Sequence, residues 1–158
     1  MSARLCLFLT FTGCVELDRP ADSGTAASDY TGWERYQLGS SPGELNCDLY
    51  WTVSGSPALI SCPECVFAFD LSFSMDDSQS SNDGICFQAQ DSFSETYVLI
   101  EEAGEYSVGT WSNGTISVFA SAEFDDLTGQ FWYGIGNTGY VYGSYYYTQY
   151  TSGYGLLQ

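Results

Sequence analysis

Phe67-Ala68-Phe69-Asp70-Leu71-Ser72-Phe73-Ser74-Met75 alternates without a break: each odd position carries a large apolar side chain, each even one a small or polar residue. Successive side chains of a strand point to opposite faces, so this run predicts a half-buried antiparallel strand with one face on a core. The same period returns at even positions further on, with Ile116, Val118, Ala120, Ala122 and Phe124 set against Ser117, Ser121, Glu123 and Asp125. Shorter runs rich in β-branched and aromatic residues predict strands over 33–38, 47–53, 85–89, 96–101, 106–111, 131–135 and 140–150. Between them stand turn signals: Asp83-Gly84, Ala103-Gly104, Asn113-Gly114, Thr128-Gly129 and Asn137-Thr138-Gly139. No helical period interrupts the series. The expected fold is all-β, an antiparallel up-and-down barrel or a two-sheet sandwich of about eight or nine strands. It forms a single disulfide-containing domain over residues 33–158.

If neighbouring strands pair in order, loops alternate between the two ends of the domain. Counting 85–89 as a strand puts the loops near 76–83, 101–105 and 125–128 at one end together with Glu44, and gathers Asp76, Asp77, Asp83, Glu101, Glu102, Glu105, Asp125 and Asp126 there. With Asn82, this acidic rim is a candidate for weak Ca2+ binding through Asp76, Asp77, Asn82, Asp83, Glu101, Glu102, Asp125 and Asp126, since calcium takes loop carboxylates and carbonyls. The spacing is not that of an EF-hand loop. The plainer reading is that acids collect in turns because turns are wet. On this count the chain enters its first strand at the less acidic end.

Cys47, Cys62, Cys65 and Cys86 are an even set, which in an oxidising compartment predicts two disulfides. A strand length separates the ends of the domain, too far for a disulfide, which favours Cys47–Cys86 with Cys62–Cys65 over the other pairings. Even so, Cys47 and Cys86 would flank an intervening strand at ~10 Å, beyond the ~7 Å that a disulfide spans between Cα atoms, unless one of them lies in a loop. Zinc is disfavoured because the second close pair of ligands is missing. Cys62-Pro63-Glu64-Cys65 resembles the thioredoxin-like redox motif, but a strand follows it where that motif opens a helix.

The start of the chain has its own pattern. Arg4 precedes an apolar run over 5–11, and then comes Phe11-Thr12-Gly13-Cys14. This is the order of a signal peptide over 1–13. The segment resembles the lipobox of bacterial lipoproteins, which implies diacylation of Cys14, palmitate on the mature protein, and an exported chain held to a membrane by lipid. Residues 14–32, rich in Asp, Ser, Gly, Ala and Thr, read as a lipidated cysteine and flexible tether. The resemblance further implies, with Val15 and Glu16 in place of Asp after the cysteine, sorting to the outer membrane, facing the periplasm or the cell surface.

Composition narrows function by exclusion. The formal net charge is −17, and the chain holds three basic residues and no histidine. Nucleic-acid binding, which rests on cations neutralising phosphates, is excluded, as are histidine-based triads and histidine-ligated metals. Neither a P-loop nor a dinucleotide fingerprint occurs, and no cofactor is expected. An enzyme is not expected; a carboxylate-based hydrolase is the remote alternative. The aromatic load of 17% points instead to a binding module for a small ligand, a sugar or a protein partner. Trp111, Trp132, Tyr140 and Tyr142 are its candidate ligand-facing aromatics. Gly109-Thr110-Trp111 and Thr128-Gly129-Gln130-Phe131-Trp132 resemble calycin-type barrels, the group of avidins and lipocalins, which implies a ligand held inside a barrel. The alternative is an envelope surface component with no ligand of its own.

Overall fold

The computed structural model describes residues 29–40, 44–82, 86, 89–142 and 145–158. The signal segment 1–13, Cys14, most of the tether, and Asp83-Gly84 lie outside the described residues. Among the described residues, nine strands form one sheet: β1 (Tyr30–Ser40), β2 (Glu44–Pro57), β3 (Cys65–Met75), β4 (Ser81–Asn82), β5 (Ser92–Glu102), β6 (Glu105–Ser112), β7 (Thr115–Asp125), β8 (Gln130–Tyr142) and β9 (Tyr145–Leu157). The order is β1-β9-β8-β7-β6-β5-β3-β2-β4, and β1 also pairs with β2. The long strands therefore close into an antiparallel up-and-down barrel, with the two-residue β4 as an addition against β2. Closure removes the unpaired edges that an open sheet would present.

The turns obey their chemistry. Ala103-Gly104 and Asn113-Gly114 both have positive φ at both positions, as tight hairpins with the right-handed twist require. Three expectations are corrected. Cys86 and Ala89 lie outside any strand, so the predicted strand over 85–89 is not present at the residues described there. Asn137-Thr138-Gly139 is not a hairpin turn: β8 runs through it with a register shift between Ile135 and Thr138, and the hairpin closes where Tyr142 faces Tyr145. The predicted strand over 140–150 is thus parts of two strands, an extra residue being taken up inside β8 as an irregularity of its ladder. The first strand also begins earlier than expected, at Tyr30.

An eight-stranded barrel is just wide enough for side chains to fill its interior. Phe69, Leu71 and Phe73, the inward positions of the alternating run, are all buried. Phe73 stacks on Phe93 with centroids 4.3 Å apart, and Phe67 meets Phe69, Phe124 and Phe131. Tyr30 packs on Phe69 and Phe131. Phe69, Phe73 and Phe131, fully buried, each contribute roughly 1.5–3 kcal/mol. Room for them comes from glycine on β9. A Cβ at Gly153 would lie 2.1 Å from the Tyr133 ring, and one at Gly155 2.3 Å from Phe131 and 2.4 Å from Tyr30.

Both disulfides form as favoured: Cys47–Cys86 with Cα atoms 6.1 Å apart and Cys62–Cys65 at 5.4 Å. The geometric obstacle to the first pair vanishes because Cys86 sits in a loop. Beyond Met75 the chain leaves the barrel, β4 pairs with β2 at Cys47 and Asp48, and Asn82 clasps the Cys86 backbone at 3.2 and 3.3 Å.

Candidate functional site

Because β3 pairs directly with β5, every later loop changes ends. The start of β1, the 58–64 loop, the turns at 103–104 and 126–129 and the C-terminus share one end, where Asp29 and Gln158 bond through their backbones at 3.0 Å. The 76–91 loop, the 113–114 turn and the β8–β9 junction share the other. The expected acidic rim is therefore divided. Glu101, Glu102, Glu105, Asp125 and Asp126 lie at the end where β1 begins; Glu44, Asp76, Asp77 and Asn82 lie at the opposite end. The expectation that the chain enters at the less acidic end is corrected by the same count.

Two of these acids already serve their own turns. Asp76 accepts from the Ser78 backbone at 3.0 Å and the Gln79 amide at 2.7 Å; Asp125 accepts from the Leu127 backbone at 3.0 Å and the Thr128 hydroxyl at 2.7 Å. Hydrogen bonds from Ser78, and from Thr128, hold the respective carboxyls below the usual range. Asn82 is engaged with Cys86. Among the described residues, no three His, Cys, Asp or Glu side chains converge to hold a metal ion.

The candidate aromatics are not brought to one mouth. Trp111 lies opposite Ile116 beside the 113–114 turn, at the same end as Tyr140 and Tyr142 near the close of β8. Trp132 lies near the start of β8, toward the other end, and is 46% exposed between the buried Phe131 and Tyr133. Alternation places those two inside the barrel and Trp132 on the outer wall.

Trp132 is one of four rings on that wall. It faces Tyr154 across β8–β9, with ring centroids 5.1 Å apart. Tyr154 in turn faces Trp33 across β9–β1. Trp33 lies near-parallel to Tyr50 of β2, centroids 5.7 Å apart at 21°. The four rings thus run across four adjacent strands. Arg35, directly opposite Tyr50, grips Asp48 with two parallel contacts, one of them Nε to Oδ1 at 2.7 Å, and Gln37 donates to the same carboxylate at 3.4 Å. Such a fork is a strong charge-assisted pair. The guanidinium holds the Asp48 carboxyl below its usual range.

The opposite face of β1 carries the other unanticipated feature, Glu34. It is buried inside the barrel, and its Oε2 accepts from Tyr97 Oη at 2.8 Å and Tyr133 Oη at 2.7 Å. Burial pushes its carboxyl up, against the pull of the two phenols. Alternation within β1 could have placed Glu34 inside and Trp33 and Arg35 outside. Its pairing with β9 could not be read that way, because it arises from closure of the barrel, whereas its pairing with β2 is a hairpin between consecutive strands.

Comparison of the chain with protein-family models, with curated proteins and with solved structures found no match.

Proposed function

We propose that this chain is an exported binding module, tethered to the outer membrane by lipid on Cys14, that meets its partner on the outer wall of the barrel rather than inside it. One observation carries the reading. Tyr30, Phe69, Phe73, Phe131 and Tyr133 are consumed as core, whereas Trp132, flanked by the last two, is 46% exposed and continues into a row of rings on the wall. Exposed aromatics aligned over a hydrogen-bonding surface suit recognition. The tether reading rests on Phe11-Thr12-Gly13-Cys14 and the apolar run before it.

Hydroxyl-radical footprinting of the full chain tests the wall. Labelling is compared between protein in the envelope of cells that export it and protein purified in mild detergent. Trp132, Tyr154 and Trp33 should be protected in the envelope, while Leu59 and Leu127, exposed at the loops, label equally in both. Equal labelling of the wall rings would overturn the proposal. For the tether, labelled palmitate should enter the wild type and be absent from Cys14→Ser; label retained in the variant rules the anchor out.

A further inference from the structure

We infer that the row Trp132–Tyr154–Trp33–Tyr50, closed at one end by the Arg35–Asp48 pair, binds an extended neutral polysaccharide laid across β8, β9, β1 and β2. This deepens the wall reading above and rests on it.

The geometry suits a repeating linear ligand. Trp132 faces Tyr154, and Tyr154 faces Trp33, each one strand on from the last. Neighbouring strands lie ~4.8 Å apart. The rings therefore recur with a spacing close to the length of one pyranose unit, so successive sugars would meet successive rings. Pyranose rings offer apolar C–H faces to aromatic π-systems and hydroxyls at their edges, which matches rings bordered by hydrogen-bonding groups. Thr52 lies opposite Trp33, and Glu123 opposite Trp132. Arg35 turns two of its five N–H donors to Asp48 while its side chain stays 43% exposed. Its other donors are thus placed for hydroxyls at the end of the row.

Charge selects among occupants. At a net −17 the chain repels anionic glycans, nucleic acid and a second copy of itself. The wall's one described cation, Arg35, is already paired with Asp48. A lipid-like ligand would desolvate Glu123, whose carboxylate faces water on the outer wall. A neutral, hydroxyl-rich polymer carries neither cost.

Native affinity electrophoresis of the full chain is the test, because so acidic a protein migrates strongly and any capture slows it. Gels containing hydroxyethylcellulose, glucomannan or xyloglucan should retard the wild type in at least one case. Gels containing polygalacturonate should not. Added sodium chloride should leave the retardation unchanged, since no net charge is neutralised. Trp132→Ala, at an exposed position, should keep its far-ultraviolet spectrum and weaken the apparent affinity roughly three- to tenfold, the size of one aromatic contact. Trp33→Phe should weaken it less. No retardation by any neutral polymer overturns the polysaccharide inference. The footprint still judges the wall itself, so the two can fail separately. Retardation that Trp132→Ala leaves untouched, or that salt abolishes, overturns it as well.

Discussion

The two faces of β1 put the same kinds of residue to opposite uses. Inside, Tyr30, Glu34 and Leu38 are buried, and Glu34 is held by two phenols. Outside, Trp33 lies against Tyr50, and Arg35 pairs with Asp48 in partial contact with water. Each face has its aromatic ring and its carboxylate contact. Enclosure distinguishes them: burial drives the Glu34 carboxyl up, whereas a guanidinium draws the Asp48 carboxyl down. An aromatic residue on β1 or at the start of β8 is thus core or outer wall according to the face of the strand it takes. Composition, which counts both alike, cannot separate them.

Adjacent positions of β8 give the largest test of that contrast. Phe131 is 1% exposed and touches Tyr30, Phe67 and Tyr133, so Phe131→Ala should cost ~3–5 kcal/mol through lost burial and an unfilled cavity. Trp132→Ala removes a larger side chain from the next position, but only a half-exposed cross-strand pair, so it should cost about 1 kcal/mol or less. Urea midpoints of the two variants decide it. Similar losses would mean that the wall ring is structural, and the contrast would collapse.

The disulfides offer a second contrast, between the two ends. Cys47–Cys86 closes a long loop, with a sequence separation of 39, while Cys62–Cys65 spans 3. Constraint of the unfolded chain grows with loop length, so Cys47→Ser with Cys86→Ser should lower stability by ~2–4 kcal/mol and the other pair by clearly less. Equal losses would show that strain or packing, not loop closure, dominates.

The same comparison shows what was readable from the residues. The period of Phe67 to Met75 predicts a core strand, and Phe69, Leu71 and Phe73 are buried as it requires. Ala103-Gly104 and Asn113-Gly114 predict hairpins and make them. Asn137-Thr138-Gly139 carries the same signal yet sits inside β8, because a long hairpin can take up irregular residues as a register shift. The run around Cys86 was harder still. A short apolar stretch has the same appearance in a strand and in a loop pinned by a disulfide, and that one misplaced strand sends every later loop to the wrong end. Tyr154 joins Trp33 and Tyr50 on one surface only through pairing of the first strand with the last. That contact spans almost the whole chain, so no local pattern reports it.

Acidity should separate the two carboxylates of the contrast. The folded state holds the Glu34 proton more tightly than the unfolded chain does. The stability this contributes is full below the ordinary glutamate range and is lost as the pH rises through the raised value. Glu34→Gln should therefore flatten the decline in urea midpoint above that range. Asp48 behaves in the opposite sense. Its contribution is present above the ordinary aspartate range and is lost as the pH falls through the depressed value. Partial exposure of Arg35 limits this to about 0.2–1 kcal/mol, and Asp48→Asn should remove it. A wild-type profile unaltered by Glu34→Gln would show that the interior carboxyl is not desolvated as described.

Calcium should have the smallest effect, and its size follows from how the acids are distributed. Eight carboxylates crowded at one end would repel one another and gain from a divalent ion. The barrel places Asp76 and Asp77 at one end and Glu101, Glu102, Asp125 and Asp126 at the other. Asp76 and Asp125 are moreover occupied by the N–H and hydroxyl groups of their own turns, which a cation would have to displace. Screening of a net −17 chain remains, and any salt supplies that. Millimolar calcium and sodium chloride of equal ionic strength should then shift the melting temperature alike. A larger shift with calcium, erased by Asp76→Asn with Asp77→Asn, would show that the loop at the end away from the chain's entry forms a site without help from the opposite end.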